Sequence, residues 1–267
     1  MICTTDGLVL RSKDWENSGK LLTILTPERG QVAVIAKGAS SMHSKLLPLV
    51  QPYVYGNFEI YQKNGSLGWL RGGSVTQPFY GLSRDLDRLS LSAYLSEVAL
   101  DTTGEDEPAV DVLRLILNAL YALSEDKYPA WIIKGAFEWR VAALSGFLPD
   151  LGGCHVCGGA PGGDFYLDVM NGCLICSDCL NKQGMVKVSR VYDDLDEERS
   201  LLLPISPAVV AACRYILCAR VERVFAFSLE ESERDIFASV CENYLLHHLE
   251  RDFDSLQFYK SLAAGGL

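Results

Sequence analysis

GLVLRSKDWENSGKLLTILTPERGQVAVIAK occupies residues 7–37. Three short runs inside it, GLVLRS (7–12), KLLTILT (20–26) and QVAVIAK (31–37), are rich in Val, Ile, Leu and Thr. Such side chains suit a pleated, half-buried surface, and the Asn-Ser-Gly and Pro-Glu-Arg-Gly segments between the runs carry turn chemistry. The stretch therefore predicts three strands in succession. Working outward, YVYGNFEIYQ (53–62) and LGWLRGG (67–73) flank KNGS, whose Asn64-Gly65 is the strongest short hairpin signal in the chain. Five short strands in about 70 residues, with no helix-period segment of any length, predict a small closed barrel. An OB-fold and an SH3-like barrel both fit.

After Pro78 the period changes. Residues 83–100 place Leu86, Leu89, Ala93 and Val98 near one face, with Ser83 as N-cap. Residues 109–123, 129–146, 207–225 and 232–251 are also predicted helical, the third segment opening on Pro129 and closing on Gly146. The predicted fold class is α+β multidomain: an N-terminal five-stranded barrel over 1–80, then a helical domain over 81–267 carrying a cysteine-rich insert at 150–190. No internal repeat or low-complexity tract interrupts that order.

At 267 residues, 49% hydrophobic and 22% charged, the chain has ample material for two or three cores and too little charge for disorder. No basic stretch leads into an apolar run at the N-terminus, and no stretch reaches 18 apolar residues, so neither a signal peptide nor a membrane span is expected. LLLPISPAVVAAC (201–213) comes nearest and is broken by two prolines. Nine cysteines leave one over if the rest pair, which favours a reducing, cytoplasmic location with clustered thiols as metal ligands. The net charge of −10 is unevenly spread. Residues 1–80 carry eight Lys/Arg against five Asp/Glu, net +3, and the remaining 187 carry 16 against 29, net −13. A basic head on an acidic body points to an anionic partner for the head.

Five cysteines fall within residues 154–179. Cys154-x2-Cys157 and Cys176-x2-Cys179, separated by 18 residues, match the spacing of a four-cysteine zinc site. Tetrahedral Zn²⁺ takes four soft ligands, and a Cys-x-x-Cys turn offers two thiolates to one ion with little strain. Cys173-x2-Cys176 also fits by spacing, but it would place Leu174-Ile175 at a metal loop tip, where Ser177-Asp178 is ordinary turn chemistry. The expected ligands are Cys154, Cys157, Cys176 and Cys179, with Cys173 a spare and His155 facing solvent. Four thiolates close the coordination sphere, so the Zn²⁺ is expected to be structural, one ion holding a small insert together. An iron–sulfur run would need a cysteine where Gln183 stands.

Catalytic signatures are missing. No phosphate-binding Gly-Lys loop, dinucleotide fingerprint, His-Glu-x-x-His or nucleophile elbow occurs, and no enzymatic activity is expected. His247 and His248 are adjacent, hence about 100° apart on a helix, and cannot share a metal. The acidic run at 193–198 reads as a solvated loop, and Cys213, Cys218 and Cys241 read as helix-core thiols. The barrel differs. Lys37, Lys45 and Arg71 lie at strand ends or in the 38–52 connection, interleaved with Trp15, Tyr53, Tyr55, Phe58, Tyr61 and Trp69. Cations that track phosphates and rings on which bases stack are what a nucleic-acid barrel needs.

Several blocks look familiar together: GLVL (7–10), LLTILTPERGQVAVIAKG (21–38), LVQPY (49–53), AFEWRVAALSGFLPDLGGCHVCG (136–158) and YLLHHLERDFDSLQFYKSL (244–262). In these, over nearly its whole length, the chain resembles the RecO family of bacterial recombination mediators. The resemblance implies an N-terminal OB-fold, a helical domain and a four-cysteine zinc insert. It aligns Gly172-Cys173 with a glycine pair of the family, which leaves Cys173 outside the ligand set. It also implies binding of single-stranded and double-stranded DNA, annealing of complementary strands, and cooperation with RecR to help RecA replace SSB. Arg11, Lys20, Arg29, Lys37, Lys45 and Arg71 are the candidate phosphate contacts. SSB, with an acidic tail ending in an apolar residue, needs a basic-rimmed apolar pocket. Arg140, Arg214, Arg220 and Arg223 are the candidates there, the last three on the basic side of a 207–225 helix. The competing expectation is a zinc-stabilised adaptor that binds a protein and has little DNA affinity of its own.

Overall fold

A computed structural model describes residues 2–16, 18–63, 67–160, 163–182 and 201–265. The Asn64-Gly65 turn and the 193–198 acidic run lie outside the described residues. Five strands form a closed barrel: β1 (Ile2–Trp15), β2 (Gly19–Thr26), β3 (Gly30–Ala36), β4 (Tyr55–Tyr61) and β5 (Gly68–Gln77). Their order is β1-β2-β3-β5-β4, with a parallel β3/β5 pair and closure through β1 and β4. This is the Greek-key barrel of the OB-fold, not an SH3-like one. One long strand makes closure possible. Residues 2–8 of β1 pair with β4 and residues 8–15 with β2, and the bulge between Val9 and Arg11 supplies the extra twist for both. Alternation does the rest: Val9, Leu22, Ile24, Val32, Val34, Phe58, Ile60 and Leu70 all point into one buried core. A 3-10 turn, Leu47–Val50, adds Leu49 and Val50 to that core. Each fully buried aliphatic side chain stabilises the barrel by about 1.5–3 kcal/mol.

By density of packing the chain divides into two compact units, Met1–Lys127 with Phe253–Leu267, and Tyr128–Asp252. In the first unit the barrel is joined by α1 (Leu86–Asp101), α2 (Val110–Ser124) and α7 (Asp254–Gly265). The 80/81 position expected as a boundary lies within this first unit, inside the 3-10 turn Tyr80–Arg84 between β5 and α1. Two expectations for α1 are corrected. Residues 80–84 form a 3-10 turn, so the helix starts later and Asp85, not Ser83, accepts from the Arg88 N–H as N-cap. The buried face is Leu91, Tyr94, Leu95 and Val98, while Leu86 and Leu89 are exposed. The face is set by packing against α7, and Tyr94 meets Phe253, the residue just before that helix, edge-on at 5.7 Å. The α1–α2 loop clamps the β2–β3 turn: Gln31 N–H donates to Gly104 O at 2.8 Å, and Asp106 N–H donates to Arg29 O at 2.9 Å. Gly30 is required there, since its φ is +57° and a Cβ would sit 2.2 Å from Gly104 O.

The second unit contains α3 (Ala130–Leu144), β6 (Asp150–Cys154), β7 (Phe165–Asp168), β8 (Cys173–Cys176), α4 (Ser177–Lys182), β9 (Leu202–Ile205), α5 (Pro207–Cys218) and α6 (Arg234–Leu249). The four strands make one small sheet in the order β6-β8-β7-β9. Helix α5 is seven residues shorter than the 207–225 segment the period suggests. Arg140 on α3 donates to the carbonyls of Ile216 and Leu217, and Ala219 and Arg220 are extended beyond them. Cations on terminal carbonyls are a natural stop for a helix. Among the described residues no helix is long and apolar enough to cross a membrane.

Candidate metal centre and nucleic-acid interface

The sheet of the second unit brings both Cys-x-x-Cys turns to one place. Cys154 ends β6, Cys176 ends β8, and Cys179 lies in α4. Strands β6 and β8 run parallel, held by His155 N–H donating to Leu174 O at 2.7 Å. A tight turn after Cys154 returns the chain, with Gly158 N–H donating to Cys154 O at 2.8 Å and Gly158 itself at φ +72°. The sulfurs of Cys154, Cys157, Cys176 and Cys179 all lie within 4.8 Å of one another, and the group can hold a metal ion. A tetrahedral ion with metal–sulfur bonds of about 2.3 Å needs sulfurs about 3.8 Å apart. Cys157 and Cys176 stand 3.8 Å apart.

The electrostatics fit the same occupant. Burial would raise the Cys154 thiol, but N–H groups of Cys176, Cys157 and Val156 outweigh it and hold the thiol down at about 6. The Cys176 N–H approaches the Cys154 sulfur at 3.3 Å. Cys179 is pushed up to about 12 by its hydrogen bonds with the Cys176 and Cys157 side chains, with burial adding to them. One thiolate forms readily while its neighbour is held as a thiol by the hydrogen bonds within the group, the Cys154 charge adding least. A dication at the centre removes that conflict by stabilising all four. Cys173 stays apart from the group, its thiol raised by burial and then by Asp168 and Asp150. His155 is exposed.

The barrel gathers a different chemistry. Ile35, Trp69 and Tyr61 are cross-strand neighbours in one row over β3, β5 and β4. Their chain neighbours Val34, Leu70 and Ile60 belong to the core, so alternation turns the row away from it, with Ile35 buried and the two rings half-buried. The Lys37 ammonium lies 4.2 Å above the Trp69 ring and the Arg71 guanidinium 5.4 Å above Tyr61. Lys37, Arg71, both rings and Leu70 line a cavity of about 270 Å³. Among the other aromatics, Phe58 is core and Trp15 is exposed.

The remaining candidate cations are placed individually. Arg11 and Lys45 are exposed and, among the described residues, make no ion pair with a carboxylate. Lys20 pairs with Asp14 at 2.7 Å. Arg29 donates to Asp106 through two nitrogens at 2.9 and 3.1 Å and to Gln62 at 2.9 Å, so it fastens the β2–β3 turn. In the second unit Arg140 is engaged by the end of α5, and Arg214 donates to Leu151 O. Arg220 and Arg223 are exposed but lie beyond the helix, flanking and within the 3-10 turn Val221–Arg223.

Two family models match: Recombination protein O N terminal over residues 1–79, and Recombination protein O C terminal over residues 83–190. Relatives over nearly the whole chain carry the name DNA repair protein RecO. That of Acetivibrio thermocellus is 28% identical over 260 residues, spanning 97% of this chain and 96% of the relative. Those of Alkaliphilus metalliredigens and Bacillus subtilis are each 28% identical, spanning 98% and 91% of this chain and 100% and 88% of the relative.

Proposed function

The chain belongs to the RecO family, and on that premise we propose that it is a non-enzymatic DNA-repair mediator whose barrel holds single-stranded DNA. The observation that carries the reading is the Lys37–Trp69–Tyr61–Arg71 group on the outside of an OB-fold. Exposed cations there neutralise phosphates without reading sequence, and Lys45 and Arg11 are further exposed cations of the same unit. Strands held by their backbones keep their base edges available, which is the requirement for annealing. Cooperation with RecR, displacement of SSB and loading of RecA follow from the family premise, as do binding of double-stranded DNA and a cytoplasmic location. Arg220 and Arg223 remain the candidates for an acidic tail, with Arg140 and Arg214 the less available pair.

The four-cysteine centre takes one Zn²⁺ in this reading. Cys154, Cys157, Cys176 and Cys179 supply four thiolates and leave no open position, so the ion stabilises the insert and takes no part in a reaction. Annealing tests the reading. Lys37→Ala/Lys45→Ala is expected to abolish acceleration of pairing between complementary oligonucleotides while leaving the thermal melt of the protein unchanged. Annealing at the unaltered rate would place the DNA face elsewhere. The acidic excess of −13 outside the barrel favours the adaptor as a second reading. Such an adaptor would show no oligonucleotide affinity at any salt concentration.

A further inference from the structure

We propose that Trp69 and Tyr61 make the barrel prefer single strands to duplex, each ring taking one base while the cation now covering it moves to a phosphate. This deepens the DNA-binding reading and rests on it. Lys37 and Arg71 are exposed and bind phosphates of either form, so cations alone give no such preference. The rings differ. They are adjacent in the β5–β4 register and half-buried, each carries a cation over its face, and both line the same cavity as those cations. Position in the sheet holds them in place, so little freedom is lost when a base arrives.

An exposed cation–π contact is weaker than the stacking of a base on an aromatic side chain, so exchange of cation for base is downhill. The displaced ammonium or guanidinium is not stranded, because every nucleotide brings its own phosphate. Duplex cannot make this exchange, since both faces of its paired bases are already stacked on neighbours. Every base has a π face, so the platform discriminates strand state and not sequence.

The test compares affinities of the full chain for a fluorescein-labelled oligothymidine, a mixed-sequence single strand and its duplex at fixed salt. Trp69→Leu keeps an apolar side chain beside Ile35 and removes the π face. Tyr61→Leu does the same next to it, and Trp69→Phe keeps a ring. Each leucine variant is expected to bind both single strands about tenfold more weakly, with duplex affinity within about twofold of the starting protein and an unchanged salt slope. Trp69→Phe is expected to recover most of the loss. If a leucine variant weakens duplex as much as single strand, or weakens neither, the platform is wrong and the cation reading stands. If the unsubstituted chain binds neither form at low salt, both readings fall. Tyr61→Leu decides the matter should Trp69→Leu not fold.

Discussion

At Cys173 and Cys176, three residues apart on β8, strand alternation decides the chemistry. Side chains three apart face opposite sides of a strand, so only one of the two can join Cys154. Spacing alone allows either cysteine, because C-x2-C can be read from 173 or from 176, and the register that separates them is a property of the sheet. Cys173→Ser is therefore expected to keep one equivalent of zinc per chain, measured by elemental analysis after gel filtration. Cys176→Ser is expected to lose the ion or hold it at least tenfold more weakly. Zinc lost from the Cys173 variant and kept by the other would reverse the assignment. The cations show the same limit of reading. Lys37 and Arg71 were legible as basic residues among aromatics, but the neutralisation of Arg29 depends on Asp106, 77 residues away, and no local pattern announces it.

Between α3 and α6 a lysine replaces ordinary apolar packing. Lys134 pairs with Glu138 at 2.7 Å and Glu242 at 2.8 Å in a nearly solvent-free setting. Burial alone would make Lys134 easier to deprotonate, but the two carboxylates outweigh it and raise its pKa. A raised folded value means that this contribution is present through neutral pH and is lost only as alkaline pH passes that value. Lys134→Met leaves two buried carboxylates facing each other and is expected to cost about 3–5 kcal/mol in urea unfolding. A loss below about 1 kcal/mol would show the carboxylates to be solvated. Long-range partners of this kind explain what was not legible in the helices. The end of α5 is set by Arg140, 76 residues earlier, and the buried face of α1 by α7. Period locates a helix well; it does not say which neighbour will cover it.

Across the whole chain, the barrel was legible because alternation and turn chemistry act over few residues, and the choice of OB topology waited for the parallel β3/β5 pair. The four-cysteine cluster was legible for a similar reason, since a Cys-x-x-Cys pair is local. Division at 127/128 and 252/253 was not, because it depends on the last helix packing against the first. Charge follows the same architecture, with a basic barrel and an acidic remainder. In the proposed function four exposed cations, Arg11, Lys37, Lys45 and Arg71, meet the phosphates of a single strand. Its most direct test is oligonucleotide affinity of the full chain across a salt series. At ~0.7 per contact, four phosphates give a log–log slope of about −3, and Lys37→Ala should reduce its magnitude by ~0.7. Lys20→Ala, which removes a cation already paired with Asp14, should leave the slope unchanged. A slope near zero, or no binding at low salt, would mean that these cations do not hold DNA.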